Sequence, residues 1–118
     1  RTEETLMQGK KFLQEVWEGM KDIRISDRSL IWNTDLLETL EFENLIMQSI
    51  VQMDSALNRK ESRGAHARDD YKERDDKNWM KHTLSWFDKG KSIIDYKSVH
   101  SFTLSNEVEY IKPAKRVY

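Results

Sequence analysis

The sequence predicts a mainly α fold in a single domain over residues 1–118: an antiparallel helical hairpin, followed by a small β-hairpin and an extended C-terminal tail. Three observations carry this reading. Two long runs repeat apolar residues at helical spacing. Between residues 59 and 77, thirteen of nineteen side chains are charged, seven basic and six acidic, which interrupts that spacing. Beyond the block, stretches rich in Thr, Trp, Phe, Ile, Tyr and Val flank a glycine turn. The expected division is two helices over 1–60, a charged connector over 61–81, and the β-hairpin with its tail over 82–118.

The first helix starts at Thr2, a capping residue type, with Glu3 and Glu4 in the first turn where the helix dipole favours anions. Leu6, Leu13, Val16, Trp17 and Met20 share a face, with Phe12 beside them. Lys10, Lys11, Gln14, Glu15, Glu18 and Lys21 make the opposite face. The pattern predicts an amphipathic helix over about residues 3–22, weakened by Gly9 and Gly19. Residues 23–33, IRISDRSLIWN, contain no Gly or Pro and five large apolar side chains, so they read as a packed connector.

Asn33 or Thr34 caps the second helix, with Asp35 in its first turn. Leu36, Leu40, Met47 and Val51 mark one face, and Phe42, Ile46, Ile50, Met53 and Leu57 another. Apolar cover on more than one side demands burial on more than one side. This helix, about residues 34–60, is the spine of the chain, roughly 40 Å long at ~1.5 Å per residue. The first helix cannot cover both faces, so a further helix, domain or subunit is expected against it. An exposed apolar groove, and self-association of the isolated chain through it, follow from the same count.

Gly64 is a natural stop just beyond the spine. The hairpin turn is expected at Asp88-Lys89-Gly90-Lys91, between strands over 82–87 and 92–99. A last extended piece is expected over Glu107–Ile111, before the only proline, Pro113.

Composition narrows the function classes. Cysteine is absent, which removes disulfides and thiolate zinc sites. No stretch approaches the roughly 20 apolar residues of a membrane span. The chain begins with Arg1, which reads as part of a longer polypeptide. Net charge is −1. Residues 1–58 hold six basic and eleven acidic groups, whereas the end of the chain is basic. Nucleic acid is therefore not the expected partner, because counterion release needs a dense basic patch. Direct membrane insertion is not expected either.

Chemistry-bearing motifs are few. His66, His82 and His100 show no HxH or HExxH spacing, and the aspartates do not follow a calcium-loop register. No glycine-rich phosphate loop or nucleophile elbow occurs. His66 between Arg63 and Arg68 could bind an anion or a carboxylate. The plainer reading makes these groups hydrogen-bonded ion pairs at a domain boundary. The four tryptophans read as core or interface. No residue is assigned as catalytic, cofactor-binding or metal-binding. Arg63, Gly64, His66 and Arg68 are the candidate domain-docking residues.

The block RKESRGAHARDDYKERDDKNWMKHTL closely resembles the C-terminal region of the succinate dehydrogenase and fumarate reductase flavoprotein subunit. WNTDLLETLEFENL and the closing KPAKRVY are similar to neighbouring segments of that family, so the resemblance runs from about Leu6 to Tyr118. A shorter ESRG block is shared with L-aspartate oxidase. The resemblance implies a three-helix bundle whose first helix precedes Arg1. It implies FAD in the full-length subunit but none bound by this fragment, which is not expected to be active alone. It further implies succinate oxidation to fumarate, with electrons passing through an iron–sulfur subunit to quinone. The implied partners are the FAD-binding domain of the same chain and that iron–sulfur subunit. The compact charged block leans bacterial, which implies the cytoplasmic face of the inner membrane, or the matrix side in a mitochondrion. The other readings are a fumarate reductase or L-aspartate oxidase C-terminal domain, or a stand-alone helical interaction module.

Overall fold

The structure, a computed structural model, describes residues 1–114; Lys115, Arg116, Val117 and Tyr118 of the basic tail lie outside the described residues. The elements are α1 (Glu3–Gly19), a 3₁₀ turn (Met20–Asp22), α2 (Thr34–Asn58), a one-turn α3 (Asp76–Trp79), β1 (Lys81–Asp88) and β2 (Lys91–Ser98).

Thr2 opens α1 with a reciprocal cap. Its hydroxyl accepts from the Thr5 N–H at 3.3 Å, and the Thr5 hydroxyl accepts from the Thr2 N–H at 3.0 Å. Asn33 caps α2 by accepting from the Leu36 N–H at 2.8 Å. The two helices run antiparallel. Glu3 meets Lys60 at 3.2 Å at one end, Lys10 meets the buried Asp54 at 2.8 Å midway, and Met20 faces Leu40 at the other end. Gly9 permits this approach, since a Cβ there would lie 2.8 Å from Met53 Cε. Leu6, Ile46 and Ile50 form the fully buried apolar core.

The β-hairpin packs on the same helix pair. Its strands pair antiparallel from Lys81↔Ser98 to Asp88↔Lys91, which leaves Lys89 and Gly90 as a two-residue turn. Both have positive φ, +47° and +84°, as a type I′ turn requires. The turn falls where the sequence placed it. Trp17 meets Phe87 edge-to-face at 5.0 Å, and its indole covers Gly90 so closely that a Cβ there would collide with Nε1.

Several expectations are corrected. The first helix tightens to 3₁₀ geometry at Met20, and α2 ends at Asn58, two residues early, because Arg59 turns extended. The connector 23–33 is not packed: Leu30, Ile31 and Trp32 are 96%, 77% and 92% exposed. Polar bonds order it instead. Asp35 accepts from the Ser26 and Asp27 N–H groups, and the Asn33 amide donates to the Asp27 and Ser29 carbonyls. The charged connector contains α3 and a tight turn closed by paired backbone bonds between Arg63 and His66. Glu107–Ile111 joins no strand, and Val108, Tyr110 and Ile111 are exposed. Among the described residues there are two long helices.

Candidate domain-docking site: a buried ionic clasp

The segment after α2 is extended, so alternate residues project to the same side. Arg59, Glu61 and Arg63 therefore converge, as do Arg68 and Asp70. Both groups are built around a side chain that has left water entirely.

Glu61 is fully buried. Its Oε1 accepts from Arg59 Nε at 3.0 Å and Arg63 Nε at 2.8 Å; Oε2 accepts from Arg63 Nη2 at 3.0 Å and the Asp75 N–H at 2.9 Å. Burial alone pushes the Glu61 carboxyl up. The donors from Arg63, Asp75 and Arg59 outweigh it and hold the group below its ordinary value. Arg59 spends its remaining donors on the Lys81 carbonyl, the Thr83 hydroxyl and the Trp79 carbonyl. One carboxylate thereby joins the end of α2 to the start of β1.

The Arg68 side chain is also wholly buried. Nε and Nη2 grip Asp70 Oδ1 and Oδ2, both at 2.7 Å. Nη1 donates to the Ala56 and Leu57 carbonyls at 3.1 and 3.2 Å, which are orphans at the C-terminus of α2. Nη2 also reaches Glu3 Oε2 at 3.3 Å, and the guanidinium lies over the Tyr71 ring at 5.1 Å. All five N–H donors are satisfied. Asp70 Oδ2 accepts in addition from the Glu3 N–H at 2.7 Å, in the first turn of α1. Arg68 holds the Asp70 carboxyl far below the usual carboxylate range. A cation thus closes the negative end of α2 and an anion the positive end of α1, the signs that helix dipoles favour.

The four docking candidates therefore separate. Arg68 is committed inside the domain. Arg63 bridges Glu61 and Asp76, the latter at 2.7 Å, and keeps about a quarter of its side chain exposed. His66 places Nε2 3.0 Å from the Arg59 carbonyl. Gly64, φ +57°, and Ala65 form the exposed tip of the turn, in which positive φ at the first central position suits glycine. Sequence reasoning missed Glu61, Asp70 and Arg59. The period-two spacing R-x-E-x-R and R-x-D was the available signal, but it needs extended backbone to have meaning.

No group of three or more metal-ligating side chains converges among the described residues. Nor do these residues fit a dinucleotide. Gly9 faces Met53, Gly90 lies under Trp17, Gly64 sits at the tip of the turn, and Gly19 ends α1, so none contributes to a common phosphate cradle. Fold and site together define a helical domain with a β-hairpin, one whose buried charged residues are arranged to satisfy one another.

That domain has known relatives. The chain belongs to the C-terminal domain family of succinate dehydrogenase and fumarate reductase flavoprotein subunits: the family described as "Fumarate reductase flavoprotein C-term" matches residues 1–118. The succinate dehydrogenase flavoprotein subunit of Rickettsia bellii is 56% identical over 119 residues, covering 100% of this chain and 20% of the relative. The mitochondrial subunit of Oryza sativa is 52% identical over 118 residues, 100% of this chain and 19% of the relative. The structure of Escherichia coli quinol fumarate reductase bearing an E245Q mutation matches with TM-score 0.85 at 40% identity, over 100% of this chain and 20% of that one. The chain thus spans about a fifth of the length of these relatives. The compact charged block does not separate bacterial from mitochondrial relatives, because the rice alignment is no longer than this chain.

Proposed function

We propose that this chain serves as the C-terminal domain of a flavoprotein subunit that oxidises succinate to fumarate, and that it packs on the FAD-binding domain of the same polypeptide. The observation that supports this most is identity of 52–56% to succinate dehydrogenase subunits over the whole chain. FAD is held by the rest of the subunit, and electrons leave through an iron–sulfur partner subunit toward quinone. No helix among the described residues is long and apolar enough to cross a membrane. Attachment to the membrane runs through partner subunits, and the enzyme faces the bacterial cytoplasm or the mitochondrial matrix. A third helix from the preceding polypeptide completes a bundle with α1 and α2. The Arg63–His66 turn is the docking edge.

The test uses the full-length subunit. It is expected to carry flavin and to reduce an artificial dye with succinate, while the 118-residue chain alone is colourless. Absence of flavin in the whole subunit would sink the enzymatic reading. Arg63→Ala is expected to weaken flavin incorporation and assembly before it alters succinate affinity. Intact assembly with lost substrate binding would overturn the docking role. Arg68→Ala acts earlier, through the stability of the domain itself.

Fumarate reductase is the second reading, favoured by 45% identity to the Haemophilus influenzae fumarate reductase flavoprotein subunit over 90% of this chain. The ratio of fumarate reduction to succinate oxidation in the assembled enzyme decides between them.

A further inference from the structure

The C-terminal strap, residues 99–114, is fastened to the body at two places. Val99 leaves β2 at the wall of a cleft between α2 and the start of the hairpin. At the far end, Arg74 Nη1 donates to the Ala114 carbonyl, and Arg74 Nη2 grips Asp76 Oδ2 at 2.7 Å. Asp76 Oδ1 in turn accepts from Arg63 Nη2 at 2.7 Å, and Arg63 lines the same cleft. Both anchors therefore lead back to the cleft. The sixteen residues of the strap would reach ~50 Å if extended, more than the 36 and 30 Å short dimensions of the molecule. The strap carries slack.

That slack lies in solvent. Leu104 and Ile111 are 98% and 87% exposed, and Phe102, Val108 and Tyr110 are exposed beside them. Glu107 and Glu109 are exposed too, with no ion-pair partner among the described residues. The cleft, about 1010 Å³, offers the complementary chemistry. Leu6, Leu13, Met53 and Met80 give it an apolar lining, and none of the described Asp or Glu residues reaches it. Its charged lining is basic, and two of those cations retain capacity. The Lys81 ammonium rests on the faces of Tyr96 and Trp79, 3.9 and 4.7 Å from their centroids, with no carboxylate partner among the described residues. Arg63 Nη1 has only the weak Met80 sulfur acceptor at 3.9 Å among those residues.

We propose that the strap is a lid, held open in this structure, that closes over the cleft with Tyr110 against its apolar lining and the carboxylates of Glu107 and Glu109 on Lys81 and Arg63. Closure needs no rupture at Val99 or at the Arg74 latch, because the slack supplies the travel. Tethering at both ends keeps the local concentration of these groups high, so modest contacts suffice to close it. Each new ion pair is half-exposed and contributes up to about 1 kcal/mol, while burial of the strap's apolar side chains supplies the rest. The closed lid covers the Arg63 guanidinium and leaves the buried clasp behind it untouched. This device concerns the chain's own folded surface and goes beyond its role in the larger subunit.

The test is photocrosslinking in the full-length subunit, with p-benzoylphenylalanine in place of the exposed Tyr110. A link within the same polypeptide to Met53 or Met80 is expected. Glu107→Gln combined with Glu109→Gln is expected to lower its yield about fivefold, and the paired Asp substitutions to preserve it. These positions are exposed, so the variants keep the fold, which far-ultraviolet circular dichroism checks. Links only outside the cleft, links only between polypeptides, no links, or a yield indifferent to the Gln pair would overturn the proposal. Flavin content and succinate oxidation are measured separately, so loss of the enzymatic reading leaves the crosslinks interpretable.

Discussion

Arg68 and Asp70 stand two residues apart and meet as a two-point fork, with both N–O distances at 2.7 Å. From that fork the guanidinium reaches the last carbonyls of α2 and the carboxylate reaches the first turn of α1. A local pair thereby joins two helix ends that are distant in sequence.

Removing the cation leaves Asp70 and two helix-terminal carbonyls without their donor. Arg68→Met is therefore expected to destabilise the domain by about 3–5 kcal/mol in urea unfolding. Arg68→Lys rescues little, because a point charge cannot supply five donors in a planar fork. If the Arg68→Lys variant matched the unsubstituted protein in stability, charge rather than geometry would be what matters here.

Acid should loosen the same clasp. Asp70, Asp76 and Glu61 all have folded-state values below their ordinary ones of 3.8, 3.8 and 4.5. The unfolded chain then binds more protons, so their stabilisation is complete above those ordinary values and falls as pH drops through and below them. Unfolding midpoints measured between about pH 7 and pH 3 should decline over the lower part of that range. Asp70→Asn should flatten the decline; an unchanged slope would remove Asp70 from the account.

Two glycines with positive φ should respond differently to alanine. At Gly64 a new Cβ meets nothing within 4 Å, so only the left-handed backbone counts, about 1–2 kcal/mol. At Gly90 the same strain is joined by collision with the Trp17 indole, and overpacking adds about 1–3 kcal/mol. Thermal unfolding of both variants measures the difference. Equal losses would show that the indole simply moves aside.

The isolated chain is expected to self-associate, because Phe12, Leu37, Leu40 and Leu45 are each more than half exposed. Light scattering across a concentration series should report species larger than a monomer, and Leu45→Lys should shift them toward monomer. A monomer at all concentrations would contradict this.

Much of the fold was readable because its signals are local. Thr2 and Asn33 cap where capping chemistry predicts, and Lys89-Gly90 turns where two positive φ angles are needed. The connector misled because apolar composition records what Leu30, Ile31 and Trp32 would bury, while this chain supplies no cover for them among the described residues. The clasp was harder. In a sequence, Glu61 and Arg68 look like solvated charges, and only the path of the backbone after Asn58 turns them inward.

Glu3 and Arg68 are 65 positions apart, whereas the hairpin closes over two residues. Contacts of such unequal span form at unequal rates, since a long loop must be closed before its contact is rewarded. The expected order of assembly is α2 with the hairpin first and α1 last, sealed when the clasp shuts. Native-state hydrogen exchange should show α1 amides opening as a unit at lower free energy than those of the hairpin. The N-terminal helix then acts as a removable strut, and its attachment sets how long the finished domain persists between openings.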